Sequence, residues 1–475
     1  MANAAAHDFA HADRHTCVPT VLFRTDVLEF GLAKLPIVIG HYGPVQPSLQ
    51  GVPARPAILV FALAAGALLS YQATRLWLAY HRIHSTRLEI IERGAALEPG
   101  DADAWDLLGR YRQLDFANAD PQQELADYQR AVREDPLNAS FWMNLAGAYE
   151  ENGDLSAAQN AFERARSVYP LSAEVAWNYG NFLLRQGKEE QGYAEIHHAV
   201  QSDPRMLSLA ISRVWRSSRD VNVLLDQVLP PDVDAYIQAL DFFASIRQSD
   251  PALVVWRRLI SLGKVVALPR TFPFLDELIL DDRAADARQV WVDALTAAGL
   301  PHEEPLNHSL VWNGGFAGDF SNGGLGWRWN SPIGVAVDFD TAPPASGVRA
   351  VRLDFGGGLN LEITEPMQYV PVQPAHTYHF HALMRTEEIT TESGMRFSLI
   401  DPNHNDAVNA LTDNFTGSHN WTALDMDVTT GRETNFLLVR LLRTSSRLFE
   451  NKLSGTVWIA DVSLVPADSQ GNPSP

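Results

Sequence analysis

The sequence predicts a multidomain chain, α-helical first and β second: a single transmembrane helix, an α-helical repeat solenoid and an antiparallel jelly-roll β-sandwich. Three observations predict this order: an uncharged apolar run at 56–74, prolines spaced by 34 residues between 136 and 204, and alternating apolar and polar residues after 305. We expect a poorly structured segment at 1–55, an anchor at 56–80, repeats at 84–301, the sandwich at 307–467 and a disordered tail at 468–475.

Composition excludes several classes of protein. The 475 residues suffice for two to four domains, and 46% of them are hydrophobic, as in a folded chain. A formal net charge of -20 argues against a general nucleic-acid binder, which needs a basic face. Cys17 is the single cysteine, which rules out an intramolecular disulfide and any site built from several thiolates.

The first element is the uncharged stretch 56–74, which lies between Arg55 and Arg75. At 1.5 Å rise per residue it covers about 28 Å, close to the ~30 Å hydrocarbon thickness of a bilayer. No small-x-small cleavage site precedes a polar start, so we expect an uncleaved single-pass anchor in the inner membrane. A buried globular helix is the main alternative.

The orientation of this anchor is open on the sequence. Several arginines follow the span and, by the positive-inside rule, would place the C-terminal bulk in the cytoplasm. If the chain starts near Val52 instead, Arg55 becomes its short positive segment and the bulk lies outside. We expect the bulk to be extracytoplasmic. The arginines after the span are Arg75, Arg82, Arg87 and Arg93.

The repeats are the clearest pattern. One block reads W-x2-L-A-x2-Y from Trp142, and then A-x3-F-x2-A-x4-P from Ala158 to Pro170. The next block repeats it, and the preceding block does so with three extra residues in its turn. This resembles the tetratricopeptide repeat family, whose 34-residue helix–turn–helix units stack into a solenoid. Two degenerate repeats are expected further on, around Trp256 and Trp291.

The resemblance implies a concave groove, lined by the first helix of each repeat, that binds a protein partner. Trp177 has two interpretations: it anchors a partner peptide, or it packs against a neighbouring repeat. The implied groove positions are Asp106, Arg110, Met143, Gly147, Trp177 and Asn181.

Short alternating segments predict the strands of the sandwich, for example around Val337, Leu353 and Phe380. The opening from Trp312 to Trp327, the run 367–372 and the ending 457–464 resemble galactose-binding-like sandwiches, including carbohydrate-binding modules. Such modules bind glycans by stacking sugars on exposed aromatic rings. The candidates here are Trp329, Tyr369 and Phe415.

Many members of that family carry a structural calcium. This sequence keeps Asp461 but has Gly315 and Ala317 where acids often stand, so no cofactor is expected, with calcium as a weak alternative. No phosphate-binding loop, zinc-protease motif, nucleophile elbow or EF-hand is present in the sequence. His379 and His381 share a strand face and could hold a metal, although a solvated polar face is the simpler interpretation.

The sequence therefore favours a non-catalytic scaffold over an enzyme. We expect the solenoid to bind a protein partner and the sandwich to bind a polysaccharide or an envelope component, in bacterial envelope assembly or export. The alternatives are a pure protein–protein scaffold and, less favoured, a glycan hydrolase or lyase, which needs a cleft with convergent acids.

Overall fold

In the computed structural model of the chain, the described residues are 54–115, 120–300, 309–341, 349–404 and 407–467. The chain divides into two compact units, Met1–Ala73 and Thr74–Pro475. The predictions made for residues 1–53 and for the tail at 468–475 lie outside the described residues.

The first described element is helix α1, Ala54–Ile83. From Pro56 to Ile83 it is long and apolar enough to cross a membrane, judged by length and composition. Its large apolar side chains from Ile58 to Leu69 are exposed in the described structure: Phe61 is 76% exposed and Leu69 is 70% exposed. Apolar surface on every side is typical of a helix whose solvent is lipid.

Helices in pairs follow, as the repeats predict. Asp101, Asp120 and Asp154 each accept a hydrogen bond from a backbone N–H in the first turn of the helix that follows, which fixes where that helix begins. The helices are α2 (Leu88–Leu97), α3 (Ala102–Leu114), α4 (Pro121–Glu134), α5 (Ala139–Glu151), α6 (Leu155–Val168), α7 (Ala173–Arg185), α8 (Glu189–Ser202), α9 (Leu207–Ser218), α10 (Val221–Val223), α11 (Val233–Ser245), α12 (Ser249–Ser261), α13 (Phe272–Leu280) and α14 (Ala284–Ala297).

Small residues set the distance between paired helices. A β-carbon on Gly109 of α3 would lie 2.6 Å from the Tyr128 ring of α4, and one on Gly180 of α7 would lie 2.9 Å from Ile196 of α8. The indole N–H of Trp142 donates to the Pro136 carbonyl at 2.9 Å. Trp105 makes the same contact with Pro99, six residues before it. The sequence repeat is therefore a repeat of contacts as well.

The C-terminal region contains nine described strands in two antiparallel sheets. One sheet has the order β1-β2-β9-β4-β7 and the other has the order β3-β8-β5-β6. The strands are β1 (Val335–Thr341), β2 (Arg349–Gly356), β3 (Met367–Pro371), β4 (Thr377–Ile389), β5 (Arg396–Ile400), β6 (Asn409–Leu411), β7 (Gly417–Thr429), β8 (Phe436–Leu442) and β9 (Ser454–Pro466).

The two sheets face each other across one apolar core. Alternate residues of β4 point inward, and the Phe380 ring meets the Phe397 ring of β5 with centroids 5.2 Å apart. Both rings are fully buried. The region is thus an antiparallel β-sandwich, and its jelly-roll connectivity stays a prediction.

The sandwich packs against the last helix pair of the solenoid. A β-carbon on Gly323 would lie 2.1 Å from the Phe272 ring of α13, and one on Gly324 would lie 2.5 Å from the Trp291 ring of α14. Trp291 also meets Trp312 edge-on, with centroids 6.1 Å apart. Glycine is therefore required where this loop of the sandwich touches the helices.

Polar contacts also join the sandwich to the last helix pair of the solenoid. Arg328 donates to Asp276 of α13 at 2.5 Å. Asn403 and Asn435 donate to the two carboxylate oxygens of Asp282 at 2.8 and 2.6 Å. The terminal repeat of a solenoid needs a cover for its apolar outer face, and here the sandwich provides it.

Candidate functional site

The first helices of successive repeats lie side by side and form one continuous surface. Asn144 of α5 donates to Asp106 of α3 at 2.6 Å. Farther along, Arg185 of α7 donates two 2.7 Å hydrogen bonds to Glu150 of α5. These contacts tie α3, α5 and α7 together, and we call the surface that these three helices share the N-terminal groove.

The predicted groove residues differ in how accessible they are. Arg110 is exposed, and a β-carbon on Gly147 would meet no atom within 4 Å, so this part of the groove is open. Met143 and Asn181 are half-buried. Arg110, Met143 and Asn181 stay predicted partner contacts, because the chain is described without a partner.

Two of the predicted contacts need correction. Asp106 is only 3% exposed, and its carboxylate is held by Asn144 and by Arg110, whose Nε lies 3.0 Å away. It therefore orients its neighbours rather than offering a free surface. Trp177 is half-buried and packs against the apolar core of the following repeats. Of the two interpretations of Trp177, the structure favours packing.

The electrostatics of the first repeat are unusual because several acids are buried there. Burial raises the pKa of Asp106, although hydrogen bonds from Asn144 and Arg110 oppose the shift. Burial also raises the pKa of Asp127, opposed by Arg112, whose Nε lies 2.7 Å from its carboxylate.

Glu124 lies close to these acids and was missed by sequence reasoning. It is 7% exposed, and burial together with the charge of Glu151 raises its pKa. The same environment acts on the nearby Tyr128. Burial is the main cause that raises the pKa of its hydroxyl, and the charges of Asp106 and Glu124 raise it further. The available signal was an acid standing 34 residues before Ala158, at a position that the repeat fills with a small residue.

Of the three predicted sugar-stacking rings of the sandwich, two are buried and one is half-buried. Trp329 is 6% exposed and Phe415 is 8% exposed, and both belong to the sandwich core. Tyr369 is half-buried against the solenoid, with the Arg328 guanidinium 5.0 Å from its ring centroid. A sugar cannot stack on Trp329 or Phe415, so that prediction is wrong for both rings.

On the polar face of β4, two histidines are hydrogen-bonded to aspartates of β7. His379 lies 2.9 Å from Asp427, and His381 lies 2.7 Å from Asp425, where the hydrogen bond from His381 lowers the pKa of the Asp425 carboxyl. Within the described residues, no group of three or more histidines, cysteines and acids is arranged to hold a metal ion. The expected absence of a cofactor stays a prediction, with a structural calcium as its alternative.

Comparison with known families bears on the helical region. Residues 113–158 and 148–192 match the model of the tetratricopeptide repeat family. These are tetratricopeptide repeats. The repeats predicted there are confirmed, and they coincide with helices of the N-terminal groove. The more degenerate tetratricopeptide repeats predicted beyond residue 204 stay a prediction, although helix pairs are present there.

Two solved structures show a limited likeness. One, described as "Crystal structure of MamA", is 13% identical, covers 37% of this chain and 85% of its own, and has a TM-score of 0.24. The other, "MamA MSR-1 C2", is 20% identical, covers 25% of this chain and 66% of its own, and has a TM-score of 0.22. No curated protein matches the sequence. The likeness is too weak to bear on function.

Proposed function

We propose that this protein is a non-catalytic, membrane-anchored scaffold whose tetratricopeptide repeats hold a protein partner in the N-terminal groove. The observation that carries the proposal is the open surface along α3, α5 and α7, where Arg110 is exposed and Gly147 leaves free space. The match to the repeat family, over residues 113–158 and 148–192, includes α5 and α7. Solenoids of this kind present an extended binding surface and enclose no reaction centre.

The C-terminal end of the solenoid supports this assignment by contrast. There the sandwich already covers α13 and α14 through Trp291, Phe272 and the loop at Gly323. A partner therefore has more first-helix surface available on the three N-terminal repeats than on the last pair. The described structure thus favours the N-terminal groove as the site of the interaction.

The groove is tested by a substitution that fills it. Gly147→Trp is expected to release the partner, because the added ring occupies the open space on α5. The measurement is quantitative purification of proteins bound to the full-length chain in mild detergent. A tryptophan on an exposed position of α6, Arg164→Trp, is the matched control and should retain the partner. Equal recovery with both variants would contradict the proposal.

The membrane half of the proposal rests on α1, which is long and apolar enough to span a membrane from Pro56 to Ile83 and whose large apolar side chains from Ile58 to Leu69 are exposed. We propose that this helix anchors the chain in the inner membrane, with the bulk outside. A periplasm-active reporter fused after Pro475 should then be active and a cytoplasm-active one silent. The reverse result would contradict the envelope setting and leave a cytoplasmic scaffold tethered to the membrane.

The structure gives less support to the second half of the sequence hypothesis, glycan binding by the sandwich. The rings proposed for it are in the core or half-buried, so the pure protein–protein scaffold is the better-supported alternative. A glycan would have to use another ring, and Phe449, between β8 and β9, is fully exposed. The carboxyl pKa shifts resolved on the sandwich, at Glu392, Asp401 and Asp425, are downward, which does not favour a hydrolase.

A further inference from the structure

The first repeat departs from the repeat pattern at Glu124. The equivalent positions 34 and 68 residues later are Ala158 and Gly192, which are small and let the paired helices approach. Glu124 is 7% exposed, so a carboxylate has been placed between helices where the fold requires only a small side chain. Packing alone gives no reason for an acid there.

The Glu124 carboxyl has no partner for one of its oxygens. Its Oε1 is fully buried and makes no hydrogen bond in the described structure. Leaving a charged or polar group in that state costs free energy, which a bound donor would recover. The arginines of α3 are already engaged, Arg110 with Asp106 and Arg112 with Asp127.

The surroundings of Glu124 are acidic, and the neighbouring Glu151 is exposed. Glu151 of α5 raises the Glu124 pKa, and the acids Asp106, Glu124 and Glu151 all act on the Tyr128 hydroxyl. Gly147 precedes Glu151 by one helical turn and therefore lies on the same face of α5. Because a side chain at position 147 would meet nothing within 4 Å, there is room for a ligand group beside Glu151.

We propose that the cluster of Glu124 and Glu151 receives a cationic side chain, a lysine ammonium or an arginine guanidinium, from the protein held in the N-terminal groove. This inference rests on the proposed function and names the chemistry of its partner. A basic segment is complementary both to the cluster and to the net charge of -20. A metal ion is a poorer fit, because the described residues place no three ligands around one point.

The test measures binding of short peptides of defined chemistry to the full-length chain in detergent. The peptides are alanine-based heptamers, labelled at the N-terminus, with a central arginine, lysine, citrulline or glutamate. We expect the arginine or lysine peptide to bind at least about tenfold more tightly than the citrulline peptide, measured by fluorescence anisotropy. Glu124→Gln should abolish this difference. Glu134→Gln, an exposed position of the same helix, should preserve it.

The outcomes separate this inference from the proposed function. Equal binding of the arginine and citrulline peptides, with both lost in Gly147→Trp, would overturn the cation site and leave the groove intact as a binding surface. A preference for the cationic peptide that survives in Glu124→Gln would also overturn it. Failure of all four peptides to bind would overturn it as well, while release of the natural partner by Gly147→Trp would still support the groove.

A stability measurement checks the same residue without any ligand. An acid whose pKa is raised by folding is destabilising above that pKa, and the effect disappears as the pH falls below the pKa of the unfolded chain. Glu124→Gln should therefore melt at a higher temperature than wild type at pH 8, with a smaller difference at pH 4. Glu151 is the charged group that acts on the Glu124 carboxyl, and Asp106, Arg110 and Glu151 act with Glu124 on the Tyr128 hydroxyl. A pH-independent difference would show that the carboxyl is already satisfied and would overturn the proposal.

Discussion

Trp291→Ala is expected to separate the sandwich from the solenoid and to lower the stability of the chain by about 3–5 kcal/mol. Trp291 is 1% exposed and contacts both the glycine loop of the sandwich and Trp312. Without its ring, the cover of the last helix pair is lost and a large cavity remains. Hydrogen exchange should show the amides of residues 322–328 exchanging at least about tenfold faster than in wild type.

The control for this prediction is a second buried tryptophan. Trp256 of α12 is 2% exposed, and its ring lies 6.1 Å from that of Phe274, inside the solenoid. Trp256→Ala should lower the free energy of unfolding by a similar amount. It should speed amide hydrogen exchange in α12 and α13 rather than in the sandwich loop. Unchanged exchange of 322–328 in Trp291→Ala would contradict the described docking of the two domains.

Arg443→Met is expected to destabilise the sandwich by about 3 kcal/mol or more. Arg443 is fully buried, and burial lowers the pKa of its guanidinium. It donates to the Ser393 carbonyl at 2.8 Å, to the Thr391 hydroxyl at 3.0 Å and to the Leu361 carbonyl. Methionine fills much of the same volume, but it removes the donor to the Leu361 carbonyl and the Thr391 hydroxyl and leaves the Ser393 carbonyl only its 3.1 Å hydrogen bond from Thr391.

Thermal unfolding of the purified full-length chain measures this effect. Arg447→Met makes the same chemical change four residues later, at an exposed position, and should alter stability by less than about 0.5 kcal/mol. If Arg443→Met unfolds at the same temperature as Arg447→Met, the buried guanidinium does not hold the 361 and 391–393 segments together.

Much of the fold was predictable because it depends on local periodicity. The 34-residue recurrence predicted the helix pairs. In two successive repeats the indole N–H, of Trp105 or of Trp142, donates to the carbonyl of a proline six residues earlier. Period-two alternation identified β4, whose Tyr378 and Phe380 are buried. The same alternation places Trp329 on the face of the buried Trp327, as the structure shows for both rings. The alternation of apolar and polar residues thus indicated which face of each strand is buried.

The candidate site was harder to predict, because it depends on contacts between repeats. Asp106 stands at a groove position by sequence, yet Asn144 of the next repeat covers it. Trp177 packs against the core of the following repeats. The pattern of a single repeat does not predict a contact between repeats. Glu124 stands at a small-residue position of the repeat, but its buried, unpartnered oxygen is seen only in the structure. The docking of the sandwich on Trp291 joins segments that no periodicity relates.

The most direct test of the central claim is a map of crosslinks on the groove and on the opposite face. A photoreactive benzoylphenylalanine is placed in the full-length chain in living cells, at Arg110 or Asn181 in the groove and at Ala126 or Arg164 on exposed positions of the second helices. The account predicts one discrete protein adduct at the two groove positions, absent at the other two and lost when Gly147→Trp is added. Adducts of equal yield on both faces, or none in the groove, would contradict it.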